Sequence, residues 1–345
     1  MNAKRWSAIG VALGIFIFSL FFSNYFSYIV EEQEATESLS DNLLGFLGTT
    51  VLEESLLEAG DTSKRIVLLS VDGTILDGQT SGFTGDSVYD HDLFLQQLEQ
   101  VLVDDTIKAI VLSVNTPGGG TYESAQIKDK LVEIQETTEK PIYVSMGSMA
   151  ASGGYYISAS AEKIFASEET LTGSIGVIMS GTNFSELFEK IGVDDTTIKS
   201  GEFKDIGSST RTMTEEDAEI LQTMVNTSYD RFVDVIVEGR GMDEAVVRTI
   251  ADGRIYDGAQ AVSNGLVDEI GYQEDALEAI KKDYDLEDAE IFTYQGPAMS
   301  FSSLFSSKVS SLFQSGESMN SDIDKLMTAI GTPDSPKMMY YYGGE

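Results

Sequence analysis

Pro141-Ile142-Tyr143-Val144-Ser145-Met146, followed two residues later by Met149-Ala150-Ala151-Ser152-Gly153-Gly154-Tyr155-Tyr156, is the stretch that decides the fold. The first run has the apolar make-up of a buried strand. The octet fills a turn with small residues, and Tyr155–Ala161 continues as an apolar, helix-compatible run. A serine at such a strand-to-helix junction has almost no side-chain bulk around it. Its hydroxyl is presented there, and N–H groups at the helix start point at whatever binds beside it. A tight glycine turn without chemistry fits the same eight residues, so the choice rests on the rest of the chain.

Working outward, Ile66-Val67-Leu68-Leu69-Ser70-Val71 reads as a buried strand stopped by Asp72-Gly73, and Lys108-Ala109-Ile110-Val111-Leu112-Ser113-Val114 as a second. Between them, Asp92–Val103 carries a helical pattern through Leu93, Leu95, Leu98 and Val101. The second strand runs into Asn115-Thr116-Pro117-Gly118-Gly119-Gly120, and Tyr122–Thr137 reads as helix. Strand, helix, strand, helix, strand at this spacing predicts right-handed crossovers and an α/β fold with a parallel sheet. Ligands bind at the carboxyl ends of such strands, and both glycine turns fall on that edge. Downstream, Lys163–Ala166 and the glycine-punctuated Leu171–Met179 read as strands, Thr196–Lys199 as extended, and Ser200–Gly207 as a loop. Helices are expected at Asn183–Ile191, Asp243–Ala251, Asp257–Ser263 and Glu274–Tyr284. A longer one starts at a capping-box-like Thr214/Asp217 and ends at Gly239.

Composition narrows the chemistry. The chain has no cysteine and a single histidine, His91. Disulfides, thiolate metal sites and a cysteine nucleophile are excluded, and a zinc site would have only carboxylates beside one imidazole. No metal or other cofactor is expected. A Ser-His-Asp triad would have to use His91, whose Asp90-His91-Asp92 setting reads as a solvated helix start. What remains is paired carboxylates, or a serine or threonine activated by lysine. The formal charge of −35 argues against nucleic acid and against docking on anionic headgroups.

That charge is unevenly distributed. Residues 6–30 are uncharged and long enough to cross a bilayer as a helix. Lys4 and Arg5 precede them; Glu31, Glu32 and Glu34 follow. The positive-inside rule then puts the N-terminus in the cytoplasm and the rest outside. A signal peptide would have a shorter apolar core and a small-x-small cleavage site close behind it, whereas Ser38-Leu39-Ser40 lies well into the acidic stretch after Val30. The domain plan is a cytoplasmic N-terminus and transmembrane anchor over 1–30 and an acidic linker over 31–63, helical or a tether. A catalytic domain follows over 64–296, then a Ser/Met-rich tail over 297–345.

If Ser152 is a nucleophile it needs a base, and lysine is the candidate. A free lysine is almost wholly charged at neutral pH, so a basic one needs partial burial and no carboxylate partner. Lys204 follows Phe203 in the glycine-rich loop, with Asp205 beside it favouring an ordinary surface lysine; Lys163 and Lys199 are rivals. Ser174, in a Gly-Ser-Ile-Gly turn, fits either a hydroxyl partner for the amine or a small residue in a tight turn.

Five motifs in order break the tie: Thr116-Pro117-Gly118-Gly119, Ala150–Tyr156, Leu171-Thr172-Gly173-Ser174-Ile175-Gly176-Val177, Ser200-Gly201-Glu202-Phe203-Lys204, and Asp252–Ala259 with Gly265-Leu266-Val267-Asp268. Over about residues 64–295 the chain strongly resembles the signal peptide peptidase A family, membrane-anchored serine proteases with a Ser-Lys dyad on a fold related to Clp protease and crotonase. It is more similar to the short, single-repeat members typical of Gram-positive bacteria than to the tandem-repeat form. Position by position, the resemblance implies Ser152 as nucleophile, Lys204 as general base and Ser174 as the hydroxyl that orients it. The N–H groups of Gly119 and Gly153 would form the oxyanion hole. It also implies a ring-shaped homo-oligomer in which neighbouring subunits can share a site, and peptide substrates, released signal peptides among them.

Two other classes stay in view. Crotonase-type acyl-CoA chemistry fits the fold but not the outward topology or the acidic surface. A catalytically silent, membrane-anchored scaffold would keep the fold and hold peptides without cleaving them. The topology has its own test. Protease added to intact protoplasts should remove a tag placed at Glu345; protection until lysis would reverse the orientation.

Overall fold

Consecutive apolar residues make a stable strand only where both sheet faces are covered. Ile66–Leu69, Ala109–Leu112 and Ile142–Val144 meet that condition, each at most 9% exposed. The computed structural model describes residues 52–77, 89–295 and 338–343. In chain order the strands are β1 (Glu53–Glu58), β2 (Asp61–Asp72), β3 (Ile107–Thr116), β4 (Gly118–Gly120), β5 (Ile142–Ala151), β6 (Lys163–Ala166), β7 (Leu171–Gly173), β8 (Ile178–Met179), β9 (Ile255–Tyr256), β10 (Glu269–Ile270), β11 (Ala289–Gln295) and β12 (Met338–Tyr341). The helices are α1 (His91–Val103), α2 (Thr121–Thr138), α3 (Gly153–Ser158), α4 (Ser185–Ile191), α5 (Glu215–Arg240), α6 (Glu244–Ile250), α7 (Gly258–Ser263) and α8 (Gln273–Asp283).

The main sheet runs β1-β11-β2-β3-β5-β6-β10, with β7 and β9 added beyond β5. The pairs β11–β2, β2–β3, β3–β5, β5–β6 and β6–β10 are all parallel, as the alternation of strands and helices requires. On one face Ile66, Leu68, Ala109, Val111, Tyr143 and Phe165 pack with Ala276 and Ile280 of α8. Strand alternation sends Val67, Leu69, Ile110, Leu112 and Val144 to the other face, all fully or nearly buried. A small antiparallel sheet, β4-β12-β8, lies beside the carboxyl end of β3.

β5 carries the fold's main irregularity. Its first half pairs with β6 through Tyr143–Met146, its second half with β7 through Met149–Ala151. The strand therefore continues past the edge of the regular sheet and delivers residue 152 beyond it.

Several expectations change. Leu171–Met179 is not one strand: β7 and β8 belong to different sheets, divided at Ser174, whose φ is 50°. Residues 53–58, read as linker helix or tether, form a strand. Thr196–Lys199, expected to be extended, forms no strand. His91 is 4% exposed, not solvated: Tyr89 Oη lies 2.7 Å from Nδ1 and Gln126 Oε1 3.0 Å from Nε2. Gly239 does not end α5, which runs to Arg240 and closes on Gly241 at φ 60°. Gly239 serves packing instead, since a Cβ there would overlap the Ala159 carbonyl oxygen. No helix among the described residues is long and apolar enough to cross a membrane; residues 6–30 lie outside them.

Ile110 sits fully buried on a strand flanked on both sides. Ile110→Ala should cost about 2–5 kcal/mol of unfolding free energy, read as a lower urea midpoint at unchanged slope.

Candidate active site

Ser152 is placed by three constraints. The β5–β7 register pairs Ala151 with Gly173, and the Ser152 amide donates to the Gly173 carbonyl at 2.8 Å. Its own carbonyl accepts from Tyr156 N at 2.8 Å and so opens α3. Between these bonds the backbone must turn sharply, and Ser152 takes φ 53°, ψ −114°. That region is strained for a residue with a Cβ, and such strain persists only where the surroundings hold it. Ser152 is 1% exposed, and among the described residues its Oγ has no hydrogen-bond partner. A buried hydroxyl without a partner carries a desolvation penalty of about 1–3 kcal/mol.

The second glycine turn comes up against the first. Thr116 Oγ1 accepts from Gly118 N at 3.0 Å, which folds the chain back after Pro117. Gly118 has φ 98°; a Cβ there would overlap the Tyr340 carbonyl oxygen and come within 2.6 Å of Gly153 N. A Cβ on Gly119 would overlap the Ile75 carbonyl. Ile75 N donates to Gly118 O at 2.9 Å, and Gly120 N donates to Ile75 O at 2.8 Å. Gly118, which precedes Gly119, is thus packed directly on Gly153, backbone on backbone. Ser124 of α2 adds a buried hydroxyl, also without a partner among the described residues; a Cβ on Gly153 would fall 2.7 Å from its Oγ.

Ser174 follows β7 as Ser152 follows β5, and Ala151 is in register with Gly173. It is 7% exposed, with its amide donating to Arg254 O at 2.8 Å. The Asp252–Ala259 motif therefore has a structural role, since β9 runs antiparallel to β7 and fixes the Gly173–Ser174 turn.

β12 fills the groove beside these turns. Tyr340 pairs with Gly119, Tyr341 with Gly118, and Met338 with Met179 on the far side. The Tyr342 amide extends the pairing to Pro117 O at 2.8 Å. The Tyr340 ring, 2% exposed, stacks on Tyr156 at 4.8 Å between centroids and lies 4.8 Å from Phe232. Its Oη donates to the Ser228 carbonyl at 3.1 Å. Burial pushes the pKa of both phenols above the ordinary tyrosine value, so the pair stays neutral. Nothing in the tail's composition announced this strand; four residues with two tyrosines carry too weak a periodicity.

Lys204 is not brought to Ser152. It is exposed on a 3₁₀ turn, Glu202–Asp205, in a loop tied down elsewhere. Lys199 Nζ lies 2.8 Å from Asp205 Oδ1, and Arg211 bridges Asp205 at 2.9 Å and Asp217 at 2.5 Å. The rival lysines are engaged: Lys199 with Asp205, and Lys163 with Asp283 at 2.6 Å. Among the described residues no cluster of acidic or histidine side chains is arranged to hold a metal.

Gly118→Ala should expel β12, because its Cβ would take the place of the Tyr340 carbonyl. Amide exchange at residues 338–342 should then rise to the rate of an exposed chain, with β2 and β3 unchanged.

The chain matches the description Peptidase family S49 over residues 134–287. It is 44% identical to an Enterococcus faecium protein provisionally named signal peptide peptidase SppA, with both chains covered in full. It is 35% identical to Protease 4 of Haemophilus influenzae over 64% of this chain and 35% of that one. With the chloroplastic serine protease SPPA of Arabidopsis thaliana it shares 33% identity over 51% of this chain and 26% of the relative. A parallel α/β sheet that presents a strained, buried serine between two glycine turns accords with that kinship: the chain belongs to peptidase family S49 and is a serine peptidase.

Proposed function

We propose that the protein is a membrane-anchored, extracytoplasmic endopeptidase that cleaves released signal peptides and other short apolar peptides through a Ser152–Lys204 dyad. One observation carries the peptide-binding half of this reading. The chain's own strand lies antiparallel between β4 and β8, with the Tyr340 carbonyl against Gly118 and Gly153. An extended substrate would add a strand in the same way, held by main-chain hydrogen bonds and selected by side-chain pockets. The Tyr156–Phe232 pocket favours an apolar or aromatic side chain.

In this reading Ser152 Oγ attacks the scissile carbonyl carbon and Lys204 Nζ takes the hydroxyl proton. The oxyanion accepts from the N–H groups of Gly119 and Gly153. The leaving amine receives the proton, and water then releases the acyl group from Ser152 by the reverse transfers. Ser174, on the neighbouring strand end, orients the amine. No cofactor enters. The fold is of the Clp protease/crotonase type, and residues 6–30 anchor it with Lys4 and Arg5 on the cytoplasmic side.

The exposed position of Lys204, and a Ser152 Oγ without a partner among the described residues, favour a dyad shared between subunits of a ring. So does the sequence that precedes the lysine. In the stretch of chain that leads to it, Ile178, Leu187, Ile191, Val193, Ile198 and Phe203 are each at least 40% exposed, apolar side chains that a second copy would cover.

Three outcomes test the proposal. Ser152→Ala, Lys204→Ala and Lys204→Arg should each abolish peptide turnover, since arginine keeps the charge but cannot give up its proton. Substantial turnover by the arginine variant would show that charge rather than basicity is needed. Co-expressed Ser152→Ala and Lys204→Ala chains should recover a minority of wild-type turnover, because mixed rings contain complete sites. No recovery in demonstrably mixed oligomers would confine each site to one subunit. Deleting residues 338–345 should speed fluorophosphonate labelling of Ser152; absence of labelling in both chains would favour the silent scaffold.

A further inference from the structure

Lys204 and Asp205 are neighbours in sequence, and a carboxylate next door is what a basic lysine tolerates least. An ammonium paired with a carboxylate holds its proton to higher pH. Neighbouring residues can make that pair in this protein: in α2, Lys128 Nζ lies 3.2 Å from Asp129 Oδ1. With 57 acidic residues against 22 basic ones, carboxylates greatly outnumber the cations available to them. An unengaged Asp205 would therefore be expected to take Lys204.

The structure engages it elsewhere. Asp205 Oδ1 accepts from Lys199 Nζ at 2.8 Å and from Arg211 Nη2 at 2.9 Å; Oδ2 accepts from Lys199 at 3.0 Å. Both cations are anchored. Lys199 Nζ also donates to the Glu202 carbonyl at 2.9 Å. Arg211 Nη1 donates to Asp217 Oδ2 at 2.5 Å, and that same oxygen accepts the Thr214 amide at 3.0 Å in the α5 capping box. Asp217 is 1% exposed, so the far end of the chain of contacts is buried at a helix start. The other carboxylate near this loop, Asp195, accepts from the hydroxyls of Thr197 and Thr210 at 2.5 and 2.6 Å. Hydrogen bonds to Arg211 and Lys199 keep the Asp205 carboxyl well below the usual carboxylate range, as a firmly held anion requires. Lys204 makes no ion pair among the described residues, while Lys199 and Arg211 on either side of it both do.

We propose that Arg211 and Lys199 are positioning residues: they clamp the Asp205 carboxylate away from the Lys204 amine and leave that amine free to accept the nucleophile's proton. The proposal rests on Lys204 being the base. It explains how a basic lysine can sit beside an aspartate, and why a loop so exposed is tied by Arg211 to a buried helix cap. The charged groups that face Asp205 are Lys199, Arg211 and Asp195, with Asp217 held beyond by Arg211.

The test is the pH profile of peptide turnover by the full chain. In Arg211→Gln the rising limb should move up by about one pH unit, so that turnover at neutral pH falls roughly tenfold while the alkaline plateau stays within about twofold. Adding Asp205→Asn should return the limb to its wild-type position, because the released carboxylate is then gone. A uniform loss at every pH, unrelieved by Asp205→Asn, would overturn the clamp and leave Arg211 a scaffold for the loop. If Arg211→Gln does not fold, Lys199→Gln, at a side chain one-third exposed, is read in the same way; an unmoved limb there overturns the clamp. Lys204→Ala separates the two readings. Retained turnover removes the base and the clamp together, whereas a dead Lys204→Ala with unmoved limbs in the clamp variants removes the clamp alone.

Discussion

The site depends on backbone meeting backbone without side chains between. Gly118, Gly119, Gly153 and Gly154 each lie where a Cβ would press on a main-chain or side-chain atom of another turn. Gly119 rests on Ile75, Gly118 on Gly153 and Tyr340, and Gly154 on Thr116, whose Cγ2 would be 2.7 Å from the added carbon. Only hydrogen can occupy those positions, and only Gly118 also needs its positive φ. Two amide-bearing turns from different strands thereby share one small volume.

The second dependence is on β5. A strand paired along one edge with β6 would end where the sheet ends. Here it transfers to β7 and carries Ala150 and Ala151, both fully buried, past that edge. Ser152 then inherits a conformation set by the strand on one side and by α3 on the other. The strain at φ 53° is held by hydrogen bonds in both directions. The aromatic cluster of Tyr156, Phe232 and Tyr340 closes the same region from the helix side, linking the start of α3 to the middle of α5.

Charge sets a third condition. Among the described residues, pairs such as Lys64–Asp288, Arg248–Asp230 and Arg254–Asp252 lie at the surface, where each contributes little. The Arg211 pairs differ, because one partner, Asp217, is buried at a helix cap. The Lys204 loop thus gains a fixed point on the body of the domain although none of the residues of α4 or of the 3₁₀ turn is buried.

The sequence by itself determined the parallel α/β sheet, the edge on which the two glycine turns fall, and the serine at the strand-to-helix junction. Each follows from local chemistry: uninterrupted apolar runs, small residues at turns, and helical spacing between them. Family likeness, not local chemistry, singled out Lys204 among its rivals, because nothing within a few residues of a lysine shows whether a carboxylate will reach it. Tertiary structure decided that Asp205 goes to Arg211 and Lys199, that His91 is buried against Tyr89, and that Leu171–Met179 divides between two sheets. It also decided that Met338–Tyr341, far along the chain, pairs with Gly118–Gly120. The physical reason is common to all four. Each is a choice among partners remote in sequence, settled by which polar group or strand edge the folded sheet leaves unpaired, and local composition carries no record of that.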